Sequence, residues 1–351
     1  MDWFERLTGF RETDYDATRG QLEVHGTRLR SRVNGHSWGI GTLELVSLGA
    51  LRQRVQEGMS TQEDAAPSRQ LKLRVVRGDV RALHRASEYA GALFQVASQF
   101  NLLEMVGPEV TPEDGVARYA GDPTQGPACA IAAGAATLYR NYFAPVAGQA
   151  GQTAKRQIDG LADLGAALAE ALGRPVDQLW QMRNGYALAR REGLEAINTC
   201  LAAATPGELD RLRNCLRIGL HSDVEVTDGD GPGHLTGQAR HPGQQVSQAF
   251  CSALPVAYSR VPGAAWAPFA SLVLEAAYEA TLWAGVLNAR RGSSSTVLLT
   301  RLGGGAFGNA DGWIDAAMRR ALEKAAGFAL DVRLVSRGAP SPALLQMARD
   351  F

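Results

Sequence analysis

Thr300-Arg-Leu-Gly-Gly-Gly-Ala-Phe-Gly-Asn309 is the stretch of sequence that most constrains the fold. The apolar residues that lead into it predict a buried strand over residues 296–302, and the three-to-four spacing after it predicts a helix over residues 313–325. Glycines between a strand and a helix let backbone N–H groups approach a ligand, and the start of a helix favours phosphate. The stretch therefore predicts an α/β unit with an anion-binding loop, although a loop that needs only tight turns has the same residues.

Strands and helices alternate in the same way through much of the chain. Strand patterns occur at residues 71–76, 92–97 and 246–255, and at residues 330–335 as an edge strand. Helical patterns occur at residues 80–86 and 269–287. This alternation predicts a three-layer α/β/α fold with a mixed sheet, in which the strands at residues 92–97 and 296–302 are neighbours.

The chain is expected to consist of an N-terminal extension, residues 1–70, packed on a core of residues 71–351. Within the extension, short strand-like pieces precede a helical pattern over residues 48–56. Residues 57–69 are rich in Gly, Ser, Asp, Glu and Pro, which predicts a loop between the extension and the core.

An alanine-rich run with Gly126 and Pro127 near its start predicts one buried helix over residues 125–143. Leucines at steps of three and four predict a helix over residues 158–172, and a further helix is predicted over residues 186–201. These helices predict an all-helical insert in the core at about residues 150–215.

Composition excludes several classes of protein. The chain has 351 residues, of which 45% are hydrophobic and 21% charged, as in an ordinary globular protein. The 36 Lys and Arg residues balance the 36 Asp and Glu residues, so no overall basic field attracts nucleic acid or an anionic membrane. The four cysteines lack a C-x-x-C pair, which argues against a disulfide framework. The N-terminus lacks the apolar segment of a secretory signal, so we expect a cytoplasmic protein without a membrane span.

Two further segments carry polar side chains at positions where α/β proteins bind ligands. Gln95-Val-Ala-Ser-Gln-Phe-Asn101 is a buried strand that ends in amide and hydroxyl groups, and the carboxyl ends of such strands border the ligand crevice. Gly121-Asp-Pro-Thr-Gln-Gly-Pro-Ala128 is a polar turn that leads into a helix. A simple turn and a helix cap, with Asp122 or Thr124 as the capping oxygen, are the alternative interpretations.

Acidic side chains cluster in His221-Ser-Asp-Val-Glu-Val-Thr-Asp228, which the sequence places in a loop before a central strand. In extended backbone Asp223 and Glu225 point the same way. Carboxylates near a reacting sugar would stabilise the positive charge that develops at its anomeric carbon, whereas a solvated acidic loop has no such role. His221, Asp223, His234 and His241 lack the spacing of a known metal motif, so no metal is predicted.

Two motifs resemble those of macrodomains. Val76-Arg-Gly-Asp-Val-Arg-Ala-Leu83, followed by a strand that ends in Val96-Ala-Ser-Gln-Phe-Asn101, resembles the macrodomain opening, in which a G-D-I-T turn precedes a strand ending in V-N-A-A-N. Gly303-Gly-Gly-Ala-Phe-Gly308 resembles the macrodomain phosphate loop, with Phe307 at the aromatic position. The region 71–335 also resembles a bacterial macrodomain-like family that is similar to effector macrodomains hydrolysing ADP-ribose from arginine.

The resemblance implies a ligand and a set of site residues. It places Asp79 near the adenine, and Asn101 and Phe307 against the distal ribose. It places Gly303, Gly304, Gly305, Ala306, Phe307 and Gly308 around the diphosphate. Val80, Gln99, Phe100 and Asn309, their neighbours in the same motifs, are further predicted ligand-binding residues. A second ribose-contacting loop is assigned by its order in the chain to Asp122, Thr124, Gln125 and Gly126. The predicted catalytic residues are Asn101, Asp223, Glu225 and Asp228.

The sequence departs from the macrodomain pattern at the strand end, where Ser98-Gln-Phe replaces N-A-A and no glycine-rich stretch follows Asn101. The resemblance implies an ADP-ribosyl hydrolase that removes ADP-ribose from a modified protein side chain, with arginine as the expected side chain, ADP-ribose or an ADP-ribosylated protein as partner and no cofactor. The alternative is a reader that binds ADP-ribose without cleaving it.

Overall fold

The computed structural model describes residues 1–58, 70–228 and 243–351. Most of the loop predicted at residues 57–69 therefore lies outside the described residues, as do His234 and His241. The helices are α1 (Trp3–Thr8), α2 (Tyr15–Gly20), α3 (Leu48–Gly58), α4 (Val80–Arg85), α5 (Gln125–Ala132), α6 (Gly134–Tyr142), α7 (Ala162–Leu172), α8 (Val176–Leu179), α9 (Arg191–Ala203), α10 (Pro206–Asn214), α11 (Ala267–Arg290), α12 (Asp311–Ala325) and α13 (Pro342–Asp350). The strands are β1 (Leu22–His25), β2 (Arg28–Ser31), β3 (Ser37–Gly39), β4 (Thr42–Ser47), β5 (Lys72–Arg77), β6 (Leu93–Ala97), β7 (Pro145–Val146), β8 (Gln149–Ala150), β9 (Trp180–Arg183), β10 (Tyr186–Ala189), β11 (Arg217–Glu225), β12 (Gln245–Cys251), β13 (Thr296–Leu299) and β14 (Asp331–Ser336).

A seven-stranded mixed sheet, in the order β4-β11-β12-β6-β13-β14-β5, forms the centre of the fold. Strands β12, β6, β13, β14 and β5 are parallel, and β11 runs antiparallel to both of its neighbours. Val297 of β13 pairs with Leu93 of β6, which confirms that the two predicted strands are neighbours. Strand β14 lies inside the sheet and β5 at its edge, so the prediction of an edge strand at residues 330–335 is wrong.

Helices cover both faces of this sheet. Successive side chains of a strand point to opposite faces, and Leu93 packs into the core that contains α11 and α12, whereas Phe94 packs into the core that contains α4 and α5. Strand β13 repeats the alternation, with Val297 on the first side and Leu298 on the second. The three-layer α/β/α arrangement predicted from the sequence is therefore confirmed.

Three local predictions differ from the structure. The helix predicted over residues 125–143 is two helices, α5 and α6, because Ala133 leaves the helical conformation (φ −114°, ψ 59°). The strand predicted to reach Pro255 ends at Cys251. The helix predicted to start at residue 186 starts at Arg191, and residues 186–189 form the second strand of the β9–β10 hairpin. The insert is therefore not all-helical. The turn of the hairpin is Asn184-Gly185, both with positive φ, and Asn-Gly is the dipeptide that tight hairpin turns favour.

The first 58 residues contribute to the central sheet. Strand β4 pairs with β11 along its whole length, and α3 packs against α11. Strands β1, β2 and β3 form a separate antiparallel sheet over a second hydrophobic core that includes Phe4 and Trp38. The main sheet therefore crosses the division expected at residue 70. Within the described part of the chain, no helix has both the length and the apolar character needed to cross a bilayer.

Candidate functional site

A cavity of about 430 Å³ lies beyond the carboxyl ends of β6 and β13, where open α/β sheets bind their ligands. Nine of the residues predicted from the sequence line it: Gln99, Asp122, Thr124, Gln125, Gly126, Gly303, Gly305, Ala306 and Phe307. The three polar segments that the sequence singled out, around residues 99, 122–126 and 303–307, therefore meet at one place.

The glycine-rich loop after β13 has a defined conformation that leaves N–H groups free. Gly303 and Gly308 both adopt positive φ, and the Asn309 N–H donates to the Gly303 carbonyl at 2.9 Å. The Asn309 side chain donates to the Leu254 carbonyl at 2.8 Å and so fixes the loop to the segment after β12. Among the described residues, the N–H groups of Gly305, Ala306 and Phe307 have no hydrogen-bond partner. Such a row of free amides is suited to bind an anion.

Gly303→Ala is expected to destabilise the protein by about 2 to 4 kcal/mol, because its φ of +73° is strained for alanine and its Cβ would lie 2.4 Å from the Ala253 Cβ. Denaturant unfolding of the two proteins measures the difference. Gly305→Ala is the matched control, since no atom lies within 4 Å of its Cβ and its φ is not positive. Equal losses of stability in both variants would contradict the assigned loop conformation.

The start of α5 forms the opposite wall of the cavity. The Gln125 side chain accepts a hydrogen bond from the Ala97 N–H and donates one to the Gln95 carbonyl, both at 2.9 Å. Its side-chain amide therefore pairs with the backbone of β6 as a neighbouring strand would. This places Gly126 so close to β6 that a Cβ would lie 2.0 Å from the Ala97 carbonyl oxygen. Thr124 is the N-cap of α5 but makes no side-chain capping bond. The first N–H groups of α5 lack intrahelical partners, which adds a second set of donors to the cavity.

Glu104 also lines the cavity, and the sequence-based predictions did not include it. Its side chain is 1% exposed, and neither carboxylate oxygen has a hydrogen-bond partner among the described residues. Burial raises the pKa of Glu104 to about 8, against a lowering by the Arg140 guanidinium, which lies 4.0 Å away. Glu104 therefore keeps its proton to a higher pH than an ordinary glutamate does. A single acid inside the apolar run Leu102-Leu-Glu-Met-Val106, just after a polar strand end, is the sequence signal that could have identified it.

Aromatic rings form a third part of the cavity wall. Tyr186 of the β9–β10 hairpin lies with its ring centroid 5.0 Å from that of Tyr258 and 5.2 Å from that of Phe307. The Tyr186 hydroxyl donates to the Met105 carbonyl at 2.6 Å, so the hairpin is fixed to the segment that carries Glu104. Tyr186 was missed because the sequence placed it at the start of a helix. The three rings offer apolar faces to a planar group.

The three acids predicted to be catalytic do not line the cavity. Asp223 and Glu225 belong to strand β11, so the prediction of a loop there is wrong. A bulge between His221 and Val224 interrupts the alternation, and the two carboxylates have different surroundings. Asp223 pairs with Arg291 near the surface, whereas Glu225 accepts from the buried Gly39 N–H at 2.7 Å.

Asp228, the third acid, accepts hydrogen bonds from Arg81 at 2.6 Å and Arg85 at 3.0 Å, which fix α4 to the end of β11. Each of these acids thus has a structural partner. Of the candidate metal ligands, His221 is fully buried beside Arg140 at 3.4 Å, and burial lowers its pKa well below the ordinary value.

The remaining predicted site residues do not line the cavity. Asn101 is fully buried, donates to the Gln157 side chain at 2.8 Å and accepts from the Leu103 N–H at 3.1 Å. It therefore stabilises the turn that carries Glu104. Asp79 caps α4 through the Arg81 N–H. Val80, Phe100, Gly304, Gly308 and Asn309 are likewise absent from the cavity wall.

The fold and the cavity define a three-layer α/β protein with a candidate ligand site at the carboxyl edge of its sheet. No protein-family model matches the chain, and no curated protein matches it. Among solved structures the chain is similar to poly(ADP-ribose) glycohydrolase from Thermomonospora curvata, with a TM-score of 0.42 and 15% identity over 93% of this chain and 94% of that chain. It is also similar to poly(ADP-ribose) glycohydrolase from Deinococcus radiodurans in complex with ADP-ribose, with a TM-score of 0.41 and 15% identity over 88% of this chain and 92% of that chain.

Proposed function

We propose that the cavity binds an ADP-ribosyl group and that the protein hydrolyses the bond between this group and a protein side chain, arginine. The observation that carries the proposal is Glu104, a buried carboxyl group that has no hydrogen-bond partner among the described residues and lines the same cavity as a glycine-rich loop with free N–H groups. An acid whose pKa is raised by burial is the group that glycoside hydrolysis requires.

Among the residues that the structure describes, the cavity offers backbone donors for a diphosphate but no free cation. Arg301 lines it, but its guanidinium pairs with Asp311 and Asp315. Binding of a diphosphate would therefore depend on the backbone N–H groups of the glycine-rich loop and of the start of α5. The motif resemblance to macrodomains assigns the same loop to the same part of the ligand.

Glu104 would act as a general acid. It gives its proton to the leaving nitrogen as the bond from that nitrogen to the anomeric carbon of the distal ribose breaks. Water adds to the anomeric carbon, and its proton returns to the Glu104 carboxylate, so that free ADP-ribose and an unmodified side chain leave. The arginine linkage rests on the motif resemblance, and a carboxylate at Asp122 with the rings of Tyr258 and Phe307 suits a planar cationic group.

A reader that binds ADP-ribose without cleaving it is the second candidate. It is favoured by the position of Asp223, Glu225 and Asp228, which are all engaged outside the cavity. Their placement removes the acidic loop as a reason to expect an enzyme. The distinction between the two candidates therefore depends on Glu104.

Calorimetry should show ADP-ribose binding at least about tenfold more tightly than AMP, because AMP lacks the second phosphate and the distal ribose. Gly305→Leu is expected to abolish this binding, since its side chain would enter the cavity from a position with no atom within 4 Å of the Cβ. Gly312→Leu on α12 is the matched control, with equally open surroundings outside the cavity wall.

The same preparations are then incubated with mono-ADP-ribosylated arginine, glutamate and serine substrates. Release of ADP-ribose from the arginine substrate supports the hydrolase, and binding without release from any of them supports the reader. Absence of ADP-ribose binding, or equal binding by Gly305→Leu, would refute both.

A further inference from the structure

Arg140 of α6 is a fully buried cation for which the proposed reaction has so far no use. Its ion pair with Glu104 measures 4.0 Å, too long for a hydrogen bond, and both side chains are almost completely shielded from solvent. A buried charge without a close counter-ion is expensive, and proteins rarely retain one without a reason.

Contacts from four parts of the fold fix the guanidinium independently of Glu104. The Arg140 Nε donates to the Leu102 carbonyl at 3.2 Å, and one terminal nitrogen donates to the Thr137 hydroxyl at 2.9 Å. The other terminal nitrogen lies 3.4 Å from the His221 Nδ1. The guanidinium carbon atom lies 3.8 Å from the centre of the Phe250 ring, in a cation–π contact. The positive charge therefore stays in place whether Glu104 is protonated or ionised.

Few other charges lie near Glu104 in the described part of the chain. The described ionisable groups that face Glu104 or Arg140 are Cys129 on α5, Tyr119 and Asp122 between β6 and α5, and His221 on β11. Burial raises the pKa of Cys129 and of Tyr119 and lowers that of His221, so these three groups are neutral near pH 7. Arg140 and Asp122 remain as the charges that act on Glu104, and Arg140 is the one that favours its carboxylate.

We infer that Arg140 is a positioning residue for Glu104, a fixed buried cation that stabilises the carboxylate formed when Glu104 gives up its proton. The inference rests on the proposed function, because it assigns to Glu104 a proton transfer during the reaction. Without the cation, burial alone would hold the proton on Glu104 too tightly for transfer near neutral pH. At the distance of 4.0 Å the effect of burial still outweighs this attraction, so the pKa of Glu104 stays above its ordinary value.

The test compares the pH profile of kcat in the wild-type protein and in Arg140→Met. A general acid must be protonated, so wild-type activity should fall as the pH rises past about 8. In Arg140→Met the pH at which kcat falls should rise by about one unit or more. The value of kcat at pH 7 should fall, while KM stays within about threefold of the wild-type value. Arg140→Lys keeps the charge and should restore most of the wild-type profile. Arg52→Met is the matched control, since it removes a mostly buried arginine that pairs with Glu279 and Asp210 outside the cavity wall.

A second measurement does not depend on activity. NMR follows the titration of the Glu104 carboxyl carbon in isotope-labelled wild-type protein and in Arg140→Met. The signal is assigned to Glu104 because it is missing from the spectrum of Glu104→Gln. An upward shift of the Glu104 pKa by about one unit or more supports the inference even if no ADP-ribose is released, in which case only the proposed function fails.

An unchanged Glu104 titration in a folded Arg140→Met protein would overturn the inference, as would an equal shift in Arg52→Met. Arg140→Gln, which can still bond to Thr137, serves as a second neutral variant where the methionine variant does not fold. If neither neutral variant folds, even combined with Glu104→Gln, then Arg140 is structural and the inference is wrong.

Discussion

Glu104→Gln is expected to lower the rate of ADP-ribose release from ADP-ribosylated arginine by about 10³-fold, while ADP-ribose binds within about threefold of its wild-type affinity. Glutamine has the shape and neutrality of the protonated acid, so the cavity keeps its form, but its amide cannot transfer a proton. Single-turnover release and calorimetry on the same preparation measure the two quantities separately.

Asp223→Asn is the control for this prediction. Asp223 is the acid that the sequence pattern favoured, but it is paired with Arg291 near the surface and does not line the cavity. We expect its removal to change the rate of release by less than about twofold. Equal losses in the two variants, or full activity in Glu104→Gln, would remove Glu104 from the chemistry.

Local sequence patterns were sufficient for the elements whose environment is uniform along their length. Strands β6 and β13 are mostly apolar and almost completely buried because helices cover both faces of the sheet, and α11 is buried around most of its circumference. Strand β14 has the alternation of an edge strand although it lies inside the sheet. The Arg333 guanidinium on this strand bonds to the Tyr89 hydroxyl at 2.9 Å and to Asp331 of the same strand.

The parts of the site that follow from turn chemistry were also predictable. Glycine-rich and proline-rich turns at strand ends mark the loops at residues 122–126 and 303–308, and most of these residues line the cavity. The position of Glu104 depends instead on a turn that is held by a hydrogen bond between residues six positions apart. The Gln99 side chain accepts from the Met105 N–H at 2.8 Å, and Leu102 adopts a φ of 64°, which no propensity predicts.

The role of an acid depends on partners that are distant in sequence. Asp223 and Arg291 are 68 residues apart, and Glu225 and Gly39 are 186 residues apart. A pattern of three acids within six residues does not show which of them are already neutralised. Glu104 was missed for the opposite reason: it is a single acid in an apolar run, and no group among the described residues donates a hydrogen bond to its carboxylate.

The stability of the protein should depend on pH through Glu104, with the opposite sign from most acidic residues. Its pKa is raised from 4.5 to about 8 on folding, so between these values the folded protein binds a proton that the unfolded chain has lost. The stabilisation linked to this proton is complete below pH 4.5 and disappears as the pH rises to 8, a loss of about 4 kcal/mol.

Glu104→Gln has no proton to lose, so its free energy of unfolding should exceed that of the wild type at pH 8.5 by about 4 kcal/mol and match it within about 1 kcal/mol at pH 4.5. Denaturant unfolding at both pH values measures the difference. Glu44→Gln is the control with the reverse sign, because the Arg54 guanidinium lowers the pKa of Glu44, and the small stabilisation that this pair gives is lost as the pH falls. If the two proteins with Glu or Gln at position 104 unfold with the same pH dependence, the carboxyl group is exposed to solvent in solution, and the acid on which the proposed reaction depends is not there.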